Sequence, residues 1–266
     1  MDALARWNVH QSGQKGGPVL LFAHGFGCDQ HMWRFVTPAF EDRFRVVRFD
    51  FVGSGGSDLT TYDVERYSTL QGYADDVVSL CTELDLTDVT YVGHSVAAMI
   101  GVLAEVARPE LFAQLVLVGP SPRYIDTDGY RGGFSADDIE QLLGSLDSNY
   151  LGWSGAMAPV IMGNAERPHL GAELTASFCR TDPEIARRFA RVTFTSDNRA
   201  ELGRVTTPTL ILQCRDDVIA PLEVGAYVRD AIPGSTMTVL EATGHCPNLS
   251  APEETVAAMA DFVRGR

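Results

Sequence analysis

The sequence has no cysteine cluster, no basic run, no long apolar segment, no repeat and no low-complexity tract, and each absence removes a class of protein. Its five cysteines, Cys28, Cys81, Cys179, Cys214 and Cys246, are odd in number, scattered and without paired ligand spacing. That pattern argues against a disulfide framework or a zinc site and fits buried free thiols in a reducing compartment. Lys and Arg form no run that could neutralise a phosphate backbone, and a formal net charge of −14 would repel one, so nucleic acid is not an expected partner. The same charge says little about substrate, because surface Asp and Glu ordinarily serve solubility. No apolar stretch approaches the ~20 residues that cross a bilayer, and Met1 to Gln14 is polar with no apolar signal core. A cytoplasmic protein with no membrane association is expected. No Pro- or Gly-rich linker divides the chain, and 266 residues at 45% apolar composition suffice for one large core.

What is present is a series of short continuous apolar runs, each suited to a strand covered on both faces. They are Val19 to Ala23, Arg45 to Phe49, Val89 to Val92, Leu115 to Val118, Thr209 to Gln213 and Met237 to Leu240, most of them separated by helix-like segments such as Leu70 to Leu84. Alternation of this kind predicts an α/β fold with a mostly parallel, doubly wound sheet. The rhythm breaks between Ser121 and about Arg204, where no strand pattern occurs and helix starts do. Ser135-Ala-Asp-Asp138 reads as a capping box with Asp in place of Glu, and Asp182-Pro183-Glu184 as an N-cap with Pro at N1. We expect a core of residues 1–120 and 205–266 and a helical cap of residues 121–204; a second independent domain is the alternative. Ligands in open α/β sheets bind at the carboxyl ends of strands, so a cap there would roof the site.

The chemistry concentrates in Val89-Thr-Tyr-Val-Gly-His-Ser95-Val-Ala, a strand followed at once by a helix. A tight joint with small flanking residues, Gly93 and Ala97, lifts a serine oxygen clear of its neighbours. The Val96 N–H then lies at a helix N-terminus, placed to hold an oxyanion. The plain alternative is a glycine turn with Ser95 as an N-cap. A serine nucleophile needs a base. Of six histidines, His245 stands out, in Thr243-Gly-His-Cys-Pro247 after the last apolar run; His94 adjoins Ser95, with its side chain expected to point away. An orienting carboxylate is offered by Asp216 and Asp217, adjacent acids after the run Thr209 to Gln213, of which only one can serve. The order Ser, Asp, His is that of α/β hydrolases. His24-Gly-Phe-Gly27 follows the first apolar run and supplies a second oxyanion donor at Phe26 N–H, its ring facing the pocket. Gly53-Ser-Gly-Gly-Ser57 lacks phosphate-loop spacing and reads as a packed turn. A dehalogenase or epoxide hydrolase would need Asp where Ser95 stands.

His24-Gly-Phe-Gly27, Asp50-Phe-Val-Gly-Ser-Gly55, Gly93-His-Ser-Val96, Val118-Gly-Pro-Ser-Pro122, Asp217-Val-Ile-Ala-Pro221 and Gly244-His-Cys-Pro247, with cap features such as Asn149-Tyr-Leu-Gly-Trp153, resemble the RsbQ-type hydrolases. These are bacterial stress-signalling proteins related to the plant strigolactone and karrikin receptors. The resemblance spans nearly the whole chain and implies a V-shaped cap of four helices, a closed apolar pocket, and Ser95, Asp217 and His245 as triad. It favours Asp217 because the family acid lies four residues before the matching Pro221. Ala97 departs from the usual Gly. Expected pocket residues are Phe26, Val96, Phe134, Trp153, Met157, Phe194 and Ile219. The expected activity is hydrolysis of a small hydrophobic ester or lactone, with no cofactor and no metal. The rival is a sensor that acts on a partner, which the resemblance implies to be a PAS-domain phosphatase.

Overall fold

A computed structural model of the chain describes residues 3–263. Seven strands form one sheet: β1 (His10–Gly13), β2 (Val19–Ala23), β3 (Arg45–Arg48), β4 (Val89–His94), β5 (Phe112–Val118), β6 (Thr209–Asp216) and β7 (Thr236–Thr243). Their spatial order is β1-β3-β2-β4-β5-β6-β7, parallel throughout except that β1 runs antiparallel to β3. This is the α/β-hydrolase fold. The helices are α1 (Ala3–Arg6), α2 (Leu70–Glu83), α3 (Val96–Ala107), α4 (Ala136–Ser148), α5 (Tyr150–Met162), α6 (Pro168–Arg180), α7 (Pro183–Thr195), α8 (Arg199–Leu202), α9 (Leu222–Ala231), α10 (Pro247–Ser250) and α11 (Pro252–Val263).

The period-2 alternation of strands divides the core in two. Leu20 and Phe22 of β2, Val116 and Val118 of β5, and Leu210 and Leu212 of β6 belong to one buried cluster. Leu21 and Ala23, Leu115 and Leu117, and Ile211 join the other, with α2 and α3. Both faces are therefore covered, which is why β2, β4 and β5 are buried along their whole length. β1 has no apolar signature. His-Gln-Ser-Gly is mostly exposed, and it is a strand only because its main chain pairs with β3, a tertiary cause that side-chain periodicity does not report.

The chain passes from β2 to β3 on one side, then crosses to place β4 on the other side of β2. The carboxyl ends of β2 and β4 are thus the topological switch point, where open α/β sheets bind ligands. Four helices of 13 residues each, α4 to α7, are inserted between β5 and β6. α5 packs along α6, and α4 along α7. Ser135 and Asp138 cap each other's backbone N–H reciprocally, and Asp182 accepts from Glu184 and Ile185 N–H. The two ends of the insertion meet at an Arg123–Asp197 bridge, where the guanidinium donates to the carboxylate at 2.8 Å.

Four cysteines are buried free thiols, but Cys179 is exposed. It lies beyond the buried stripe of α6, which Leu170, Leu174 and Phe178 carry at a spacing of four. Among the described residues no helix is long and apolar enough to cross a membrane.

The loop leading into β6 is tied to α3 by Glu105, which is fully buried and whose Oε1 accepts the backbone N–H and hydroxyl of both Thr206 and Thr207 at 2.8–3.1 Å. Glu105→Ala removes the acceptor of four donors, the two on buried Thr207 being left without a partner, and is expected to cost about 3 kcal/mol in urea unfolding. A loss below about 1 kcal/mol would mean that water replaces the carboxylate freely.

Candidate active site

Ser95 sits between β4 and α3 at φ 57° and ψ −123°, a conformation non-glycine residues rarely adopt. The surroundings hold it there. Its N–H donates to Val118 C=O at 2.8 Å, and Tyr91 Oη donates to Ala97 C=O at 2.8 Å, pinning the first turn of α3 against β4. Gly93 is required because a Cβ there would lie 2.6 Å from Ala97 O. Val96 follows as the first residue of α3, so its N–H is one of the donors a helix leaves unpaired.

His245 lies just past β7, and its Nε2 faces Ser95 Oγ at 2.7 Å. Its Nδ1 is 2.7 Å from Asp217 Oδ2. An ionised carboxylate only accepts, so Nδ1 carries the proton and Nε2 presents a lone pair to the serine hydroxyl. The other oxygen of Asp217 accepts Ile219 and Ala220 N–H at 2.8 and 3.1 Å, which fixes the carboxylate plane. Direction separates the two acids: Asp216 ends β6 exposed, whereas Asp217 is buried and meets His245.

The segment after β2 forms a tight turn in which Cys28 N–H donates to Gly25 C=O at 3.2 Å. Phe26 and Gly27 are its central residues, and Gly27 at φ 68° meets the positive φ such a turn needs at its third position. Asp50 braces the neighbouring loops, accepting Gln30 N–H at 2.8 Å and Gly56 N–H at 2.9 Å. Gly53 to Ser57 is accordingly a packed turn.

A cavity of about 30 Å³ adjoins Ser95 and His245. Of the expected pocket residues, Phe26, Phe194 and Ile219 line it. Phe134, Trp153 and Met157 do not. Trp153 lies behind Phe178, stacked on it at 5.8 Å and 11°, while Phe134 and Met157 are partly buried packing on the surrounding cluster. Val96 is buried but turned into the α3 side of the core, so it contributes its position after Ser95 and no wall. The cavity wall also includes His94, Tyr124, Phe178 and Thr193, which the sequence reading left out. Tyr124 lies after β5, at a strand carboxyl end, which was the available signal; burial raises its phenol pKa, and the nearby Ser95 partly offsets the rise.

His94 corrects the expectation that its side chain points away from the site. It lines the cavity, and its Nε2–H donates to His245 C=O at 2.7 Å, with the two rings 5.0 Å apart. Burial, then the nearby His245, lowers its pKa from 6.5 to about 3. It is therefore a neutral imidazole that holds the His245 backbone. Among the described residues no group of three or more His, Cys, Asp or Glu could hold a metal ion.

Residues 20–258 match the family described as the Alpha/beta hydrolase family. Strigolactone esterase D14 of Arabidopsis thaliana is 39% identical over 94% of this chain and 92% of its own. Karrikin insensitive 2 receptor IA of Petunia hybrida is 37% identical over 92% of this chain and 89% of its own. Among solved structures, a hydrolase from Oleispira antarctica is similar with a TM-score of 0.97 and 40% identity, covering 100% of this chain and 97% of that one.

The depressed pKa of His94 predicts an acid-sensitive fold. Below pH 6.5 the unfolded chain takes up a proton at this imidazole that the folded chain refuses until about pH 3. The contribution is complete above pH 6.5 and is lost, at about 1.4 kcal/mol per pH unit, as pH falls through that window. His94→Gln keeps a donor for the His245 carbonyl without titrating. The stability gap between wild type and variant, measured by urea unfolding, should therefore shift toward the variant from pH 6.5 to pH 4; a constant gap would place His94 in water.

Proposed function

The chain belongs to the alpha/beta hydrolase family, and from that premise we propose that it is a serine esterase or lactonase acting on a small hydrophobic ester or lactone. The observation that carries the reading is the unbroken hydrogen-bond chain from Ser95 Oγ through His245 to Asp217, both links 2.7 Å, at the sheet's switch point. In the proposed reaction Ser95 Oγ attacks the carbonyl carbon while His245 Nε2 takes the hydroxyl proton. The Phe26 and Val96 N–H groups hold the resulting oxyanion, a role worth several kcal/mol because the donors are already oriented. Asp217 keeps the imidazole in the required tautomer and stabilises its positive charge. His245 then passes the proton to the departing alkoxide, leaving an acyl-enzyme that water, deprotonated by the same histidine, releases as the acid. For a lactone the alkoxide and the acyl group are one molecule.

The cavity wall contains no Lys, Arg, Asp or Glu, which supports an uncharged substrate. At about 30 Å³ it holds little more than a water-sized group. Substrate entry therefore requires side chains of the insertion to move aside.

A second reading is favoured by the names of near-full-length relatives, one an esterase and one a receptor. In it, the protein is an RsbQ-like sensor whose site processes or holds a small molecule while its surface activates a partner, a PAS-domain phosphatase. Recovery of such a phosphatase with the protein from its native host, lost on substitution in α4 to α7, supports the sensor. Fast multiple turnover without a partner supports the plain enzyme.

Two variants test the chemistry. Ser95→Ala should lower turnover of a p-nitrophenyl ester by roughly 10⁴-fold or more, since the three residues act as a unit; wild-type turnover in that variant would refute the assignment. Asp217→Asn should lower kcat by roughly 10³- to 10⁴-fold with the fold intact, read by steady-state kinetics and circular dichroism.

A further inference from the structure

Helical Ser and Thr side chains in this protein follow a habit. Ser154, Thr175, Thr195 and Thr255 each donate to the carbonyl four residues earlier, at 2.7–2.9 Å. Ser177 donates instead to Gly27 C=O at 2.9 Å. Thr193 on α7 breaks the habit. It is 1% exposed, and among the described residues its Oγ1 has no hydrogen-bond partner. It also lines the cavity that adjoins Ser95 and His245.

A buried hydroxyl without a partner is costly, whereas Val, which has the same shape, would fill the site without that cost. The rest of the wall that the insertion's helices supply, Ile161, Leu174, Phe178 and Phe194, is apolar. Thr193 is thus the polar side chain that the insertion's helices present to the cavity, Tyr124 belonging to the connection after β5, while Ser95 and His245 are carried by the sheet. Its proton is uncommitted, so the group it suits is an acceptor oxygen presented by whatever occupies the cavity. We propose that Thr193 Oγ1 is a specificity-determining donor, and that the substrate is an ester or lactone carrying a second acceptor oxygen, an ether or a carbonyl, away from the scissile bond. This rests on the esterase reading above and deepens it.

The test uses p-nitrophenyl esters in isosteric pairs that differ by one oxygen for one methylene: methoxyacetate against butyrate, 3-methoxypropanoate against pentanoate, and 4-methoxybutanoate against hexanoate. Comparing wild type with Thr193→Val cancels the intrinsic reactivity of each ester. At one oxygen position or more the variant should lose about tenfold of the oxygen-to-methylene ratio in kcat/KM, chiefly through KM, while thermal stability holds or improves. Thr193→Ser, which keeps the hydroxyl, should restore the ratio. If Ser95 is labelled by a fluorophosphonate and turns over both series, but the ratios match in wild type and variant at every position, the hydroxyl is idle or paired with water and this inference falls alone. If hydrolysis does not depend on Ser95, the esterase reading falls and takes this inference with it.

Discussion

The site depends on one strained residue. Holding Ser95 at φ 57° and ψ −123° costs about 1–3 kcal/mol for a residue with a side chain, and the cost is met by packing that a local segment could not supply. The restraint comes from β5 through Val118 C=O, from Tyr91 through the Ala97 carbonyl, and from the missing side chain at Gly93. The result is direction: the hydroxyl stands clear of β4 and α3 and meets His245. A relaxed backbone at this joint would turn it away and leave the imidazole without a partner.

The inserted helices do more than cover the site. His245 N–H donates to Ile161 C=O of α5 at 2.9 Å, and Asn164 Nδ2 donates to Thr243 C=O at 2.9 Å, so the loop carrying the histidine is fastened to the end of α5. On the opposite side Ser177 holds Gly27 C=O, and Arg180 pairs with Asp29 at 3.0 Å, fastening the Phe26 turn to α6. Both loops that flank Ser95 therefore share hydrogen bonds with the insertion. A displacement of α5 or α6 large enough to admit a substrate acts on the same bonds that place the histidine and the Phe26 amide.

Electrostatically the site is set apart from its surface. The chain carries a formal charge of −14, yet the carboxylate next to the cavity is Asp217, buried and committed to three hydrogen bonds. His94 is kept neutral by burial. Aromatic rings complete the enclosure: Phe26 lies between 5.7 and 6.3 Å from the rings of Trp153, Phe178, Phe189 and Phe194. In such low-dielectric surroundings oriented amides and the carboxylate–imidazole pair act more strongly than they would in water.

Six of the seven strands were legible in the sequence, the inner ones because burial on both faces demands continuous apolar runs and the largely exposed edge strand β7 because Met237 to Leu240 is still mostly apolar, and the helix starts at Ser135 and Asp182 because capping is local chemistry. The polar β1 was not legible, since only the neighbouring main chain makes it a strand. Ser95 and His245 could be picked out because each follows an apolar run within a glycine-containing turn. Asp216 and Asp217 could not be separated by residue type; the register shift between Cys214 and Asp216 and the end of pairing with β7 turn one outward and bury the other. Which faces of α4 to α7 reach the cavity depends on how each helix is rotated against its neighbours. Apolar size and the resemblance therefore marked Trp153 and Met157 as pocket candidates without locating the wall, and passed over Thr193. The sequence by itself determined six strands of the sheet, the turns and the order of the candidate site residues, because these follow from local conformation and burial pattern; only the tertiary structure decided which acid meets His245, where His94 points and which side chains enclose the cavity, because these depend on contacts between residues far apart in the chain.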